Sequence, residues 1–84
     1  MGTIYAIGNR EHGWVKVGLT QGYARLRLIG IQTACPVDLE ILYEKEGSFD
    51  EELRMQEALH DIHIRGEWFK LDESLLQKLF KEIS

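Results

Sequence analysis

Cysteine occurs once in this chain, at Cys35, and proline once, at Pro36. A single thiol excludes an internal disulfide framework, and one cysteine with three histidines at these spacings gives no zinc signature. No apolar run approaches the roughly 18 residues of a membrane span. The N-terminus has no basic stretch followed by an apolar run, so no secretory signal is expected. Together these absences point to a reducing, cytoplasmic setting with no membrane partner. Repeats, linkers and low-complexity segments are also missing, so the 84 residues read as one domain with a modest core.

Positive charge is short as well. Ten Lys and Arg face fourteen Asp and Glu, for a net charge of −4. That balance argues against a binder that holds nucleic acid by bulk charge alone. The deficit is uneven, however. Residues 1–35 carry Arg10, Lys16, Arg25 and Arg27 against Glu11 alone, a net +3, which leaves −7 for the remainder. A basic first half is able to present one positive face beside an acidic, solvated second half.

The patterning predicts an α+β domain of order β-β-α-β-α-α, with a three-stranded antiparallel sheet flanked by helices. Thr3–Ile7 and Trp14–Val17 read as strands joined through the Gly8–Gly13 turn, hence a hairpin. Thr20–Gln32 reads as a helix capped by Thr20, with Tyr23, Leu26, Ile29 or Gly30, and Thr33 recurring on one face. Gly30 weakens that helix, which implies a packing reason for it. Pro36 marks the stop. Leu39–Glu44 is a third strand, with Leu39, Ile41 and Tyr43 alternating against Glu40, Leu42 and Glu44. Ser48 and Glu51 have the spacing of a capping box for a helix from Phe49 to His63. Glu67–Leu71 is extended. Asp72 caps a last helix whose apolar face is Leu75, Leu76, Leu79, Phe80 and Ile83.

One polar residue stands out on the second helix. Placed around a wheel, Phe49, Leu53, Leu59, His60 and His63 fall on one arc, with Gln56 at its centre. A buried amide is costly unless hydrogen-bonded, by about 1–3 kcal/mol. Gln56 is therefore either tied to a backbone group or, with His60, lines a polar site. Glu57 lies about 100° away and is expected to face solvent. Tyr5, Lys16, Arg27 and a polar group on a helix are, in order, the parts of a phosphodiester-cleaving site.

The text around these residues resembles the GIY-YIG nuclease superfamily, in the short branch common in phage and bacterial proteins. The matching pieces are Ile4-Tyr5-Ala6-Ile7, Lys16-Val17-Gly18, Arg27-Leu28-Ile29-Gly30-Ile31-Gln32-Thr33 with Pro36, Gln56-Glu57-Ala58-Leu59-His60, and Gly66-Glu67-Trp68-Phe69. They cover nearly the whole chain. The resemblance implies that Tyr5 acts as a general base or water-positioning group, a role in which a tyrosine needs a neighbouring cation. Lys16 stands where longer members have a second tyrosine. Arg27 matches the arginine that contacts the scissile phosphate, with Arg25 as the fallback. His60 positions a water or phosphate, or bonds within the core; His63 and His12 are weaker candidates. Trp68 and Phe69 read as core residues, and Glu67 as a group that bonds the backbone or pairs with an arginine.

At the place of the metal-binding glutamate the chain has Gln56. Magnesium or another divalent metal, the cofactor the resemblance implies, prefers hard anionic oxygens, so an amide lowers its affinity. Glu52 and Glu57 are the carboxylates nearest in sequence. Two functional readings follow. One is a nuclease-like module acting on DNA phosphodiesters. The other is a non-catalytic protein whose pocket holds nucleic acid, a phosphorylated small ligand or a protein partner.

Overall fold

The computed structural model describes residues 2–82. Its order is β1 (Gly2–Asn9), β2 (Trp14–Thr20), α1 (Ala24–Gln32), β3 (Glu40–Gly47), α2 (Phe49–Ala58), a 3-10 turn at His60–Ile62, β4 (His63–Arg65), β5 (Trp68–Lys70) and α3 (Glu73–Glu82). The fold is α+β as the patterning predicts, but the sheet has five strands, not three, in the order β3-β1-β2-β5-β4. Every pairing is antiparallel. The two extra strands have three residues each, too few for alternation to declare them.

The β1–β2 hairpin forms where expected. Asn9 closes its turn by accepting the His12 N–H at 2.7 Å, and Gly13 takes the positive φ of 75° that a side chain resists. In β3 the expected alternation is interrupted. Ala6 pairs with Tyr43 but Ile7 pairs with Ile41, so Leu42 is the extra residue of a bulge. Leu42 and Tyr43 consequently pack on one sheet face and Ile41 on the other.

The two faces are filled differently. Ile4, Ala6, Val15, Val17 and Phe69 of the sheet meet Met55 and Leu59 from the α2 side and Leu76 and Phe80 from α3. On the opposite face Tyr5 and Ile7 meet Ala24 of α1 and Leu39, with Leu28, Ile31 and Trp68 packed against them.

Both helix phases differ from the wheel readings. α1 begins at Ala24, and Thr20 does not cap it. Tyr23, Leu26 and Ile29 are exposed, while Ala24, Leu28 and Ile31 face inward. Because α1 is apolar on both sides, its spacing does not fix which side is buried. Gly30 meets nothing within 4 Å where a side chain would begin, so no packing contact accounts for it. α2 has its capping box, with Ser48 and Glu51 bonding reciprocally. It ends at Ala58 rather than His63, because His63 is drawn into pairing with Phe69 in the β4–β5 hairpin. Gly66, at φ 53°, turns that hairpin. Phe49 is 61% exposed and Leu53 also projects outward; the buried residues of α2 are Glu52 and Met55. Asp72 caps α3 by accepting the Leu75 N–H at 3.0 Å. Ile83, assigned to the apolar face of this helix, lies outside the described residues.

Candidate functional site

The site begins with the β1–β2 register. Tyr5 stands opposite Gly18, and Lys16 opposite Trp68 of β5. Tyr5, Lys16, Gly18 and Trp68 therefore share the α1 side of the sheet, with Val15, Val17 and Phe69 on the other. Gly18 explains how a large phenol fits there. A Cβ on Gly18 would lie 2.5 Å from the Tyr5 hydroxyl and 3.0 Å from Glu67 Oε1. The missing side chain is the space in which these two oxygens approach each other.

Each cation of the cluster has a partner within it. Arg27 Nε donates to the Tyr5 hydroxyl at 3.3 Å, and Tyr5 is only 1% exposed. That bond, with a smaller contribution from the Glu67 carboxylate, holds the Arg27 guanidinium above its ordinary pKa. Lys16 Nζ pairs with Glu67 Oε1 at 2.7 Å. The anion that a hairpin lysine requires is thus supplied by the chain itself. Arg27 is exposed on α1, with one nitrogen fixed and the rest of its fork open to an external acceptor. Arg25 is directed elsewhere: its guanidinium lies 5.7 Å from the centre of the exposed Tyr23 ring.

Gln56 enters from the other side. β5 pairs with β2 only over Trp14–Lys16, so the edge of β2 beyond Lys16 needs other partners. The Val17 N–H donates to Glu67 O at 3.0 Å, and the Val17 carbonyl accepts from Gln56 Nε2 at 2.9 Å. The same amide nitrogen donates to Glu52 Oε2 at 3.3 Å. Both neighbours are pure acceptors, so the NH2 end of the amide must face them. The backbone tie expected of Gln56 is therefore formed. The residue also contributes, with His60, His63, Leu53, Glu57, Gly66 and Phe69, to the lining of an opening of about 320 Å³. That opening does not include Tyr5, Lys16 or Arg27, so His60 stands apart from them. His63 Nε2 lies 2.8 Å from Gly66 O, within its own hairpin, and exposed His12 belongs to the β1–β2 turn. Glu57 is exposed, as its wheel position requires.

Glu52, a carboxylate close to Gln56 in sequence, is buried, which its charge alone does not announce. It is 4% exposed, one helical turn before Gln56. Burial, and secondarily the charge of Glu67, push its carboxyl pKa upward, with Lys16 opposing. Its spacing of four from Gln56 was the available signal, since such residues share a helix face. The cluster thus joins Arg27 to Tyr5 and Lys16 to Glu67, with Tyr5 and Glu67 both beside the gap at Gly18, and reaches Glu52 by charge and Gln56 by the Glu52 hydrogen bond.

No family model, curated protein or solved structure matches the chain. The donor set must therefore be judged on its own chemistry. At Gln56 the arrangement does not suit a hard divalent ion, because the amide aims hydrogens, not oxygen, at Val17 O and Glu52. Among the described residues no group of three or more His, Cys, Asp or Glu is arranged to hold a metal. A glutamate at position 56 would set a carboxylate against a carbonyl and a second carboxylate, a site that calls for a cation. Gln56 meets the same two acceptors with its own hydrogens.

Proposed function

We propose that this chain is a GIY-YIG-like module that binds the phosphodiester backbone of DNA and does not cleave it by a metal-dependent route. The observation that carries the reading is Arg27. Its guanidinium is anchored through Nε on a buried tyrosine hydroxyl, and its remaining donors face outward. A planar fork held in this way suits a phosphate, which accepts two parallel N–H bonds. Lys16, on the same side of the sheet, adds positive charge tempered by Glu67. Gln56 supports the non-cleaving half of the proposal, since it fills with an amide the place where the resemblance expects a metal-holding carboxylate.

The test is binding of a fluorescent oligonucleotide by anisotropy at low salt, together with plasmid nicking in magnesium. Wild-type protein is expected to bind, with affinity falling steeply as salt rises. Arg27→Ala should weaken binding and flatten the salt slope by about one. Wild-type protein should leave supercoiled plasmid intact, whereas Gln56→Glu should acquire magnesium-dependent nicking. The contiguous Tyr5, Arg27, Lys16 and Glu67 side chains favour a second reading, that of an active nuclease. Nicking by the wild-type protein, lost in Tyr5→Phe, would establish it in place of the first.

A further inference from the structure

The α1 side of the sheet carries a second feature that the phosphate reading does not use. Trp14, Cys35, Ile64, Arg65 and Trp68 line an open cleft of about 410 Å³. Resting on the proposed phosphate site, we infer that this cleft holds one unpaired base of single-stranded DNA whose backbone lies across Arg27.

Four observations select that occupant. The indoles of Trp14 and Trp68 stand edge to face, with planes at 90° and centroids 6.5 Å apart. They form two walls of a corner, so a flat ring stacked on one turns its edge to the face of the other. The cleft adjoins the cationic cluster through one residue: Trp68 is the cross-strand partner of Lys16, and Cβ atoms in such a pair are about 5 Å apart. Charge on this side favours an anionic chain: Arg65 is in the cleft wall, and Lys70 is opposite Trp14 in the register. The volume is that of a small-ligand site, too confined for a folded partner. Duplex DNA keeps its bases stacked inside the helix, whereas a single strand can turn one out. The pairing of an aromatic platform with cations along a backbone path is the general solution for binding single strands.

The protein's two tryptophans both line this cleft, and so does its one cysteine, so it reports on its own occupancy. The experiment titrates wild-type protein with a thymidine oligonucleotide, with the same length of duplex, and with an abasic sugar-phosphate oligomer. The single strand should bind about 10- to 100-fold more tightly than the abasic oligomer, the usual contribution of one stacked base. It should also quench tryptophan emission and slow the alkylation of Cys35, while duplex does neither. Trp14→Ala should remove the advantage of the single strand over the abasic oligomer, and Trp14→Phe should retain most of it. Should Trp14→Ala fail to fold, quenching and Cys35 protection in the wild-type protein decide the matter. Equal affinity for single strand, duplex and abasic oligomer, with emission and alkylation unchanged at saturation, overturns the base pocket and leaves the phosphate site standing. Absence of binding by all three at low salt overturns the phosphate site, and the base pocket with it.

Discussion

On the face that carries α2 and α3, nine buried apolar side chains form one cluster, and the buried carboxylate of Glu52 stands on α2 beside it. On the face beneath α1, a fully covered tyrosine keeps its hydroxyl on an arginine, and a lysine with little exposure pairs with a glutamate. The first face excludes water and makes few geometric demands beyond volume. The second holds polar atoms at fixed distances, and every one of those distances depends on Gly18 having no side chain. Stability and recognition are thus assigned to opposite sides of one sheet, and substitutions should separate them.

The largest effect is expected on the apolar face. Leu76→Ala removes a side chain with no exposure and should destabilise the fold by about 2–5 kcal/mol. Urea unfolding measures that loss. Oligonucleotide affinity of the folded fraction should not change; an altered affinity would break the separation of the two faces. Next comes Gly18→Ala, whose added methyl meets the Tyr5 ring and hydroxyl. It should destabilise by about 1–3 kcal/mol and also weaken DNA binding, because Tyr5 must move off Arg27. Loss of stability with full affinity would show that the Arg27–Tyr5 bond does not orient the arginine.

A smaller effect tests the boundary between the faces, where Glu52 is buried. Its raised pKa means that the native state holds more protons there than the unfolded chain does. Stability contributed by this group is therefore present at acid pH and is lost as pH rises through the raised value. Glu52→Gln keeps an oxygen for the Gln56 amide and removes the charge. It should be more stable than wild type at pH 7, with the difference closing below about pH 4. Glu51 and Glu73, held low by Ser48 and Arg10, have the opposite sign, losing their contribution in acid, and cancel from this difference. The smallest change is Gly30→Ala, on the exposed side of α1, which should raise stability by about 0.5–1 kcal/mol in thermal unfolding and leave binding unaltered.

What the sequence made legible follows from range. The hairpin, the capping box at Ser48 and the Asp72 cap depend on neighbours within a few residues, and all three form where expected. The phases of α1 and α2 were misread for a shared reason. Tyr23, Leu26 and Ile29, like Phe49 and Leu53, are apolar yet exposed, while small Ala24 and charged Glu52 are buried. Apolar spacing gives no phase to a helix whose outer side is also apolar, nor to one whose inner side holds a carboxylate. The candidate site divides in the same way. Tyr5, Lys16 and Arg27 lie on elements whose existence local pattern declares; Arg27 meets Tyr5, and Lys16 stands on the same side of the sheet. The partners that define them, Glu67 for Lys16 and the Val17 carbonyl for Gln56, are 51 and 39 residues distant in the chain. No local rule reaches that far.

One margin of the sheet has its own consequence. β3 is an outer strand of eight residues, long enough to recruit a ribbon from another molecule, and it bears Glu40, Glu44 and Glu46. A second molecule joining along that border would set its own acids among these, where facing like charges repel. The surplus of carboxylates that leaves the chain anionic thus works against edge-to-edge pairing of crowded copies.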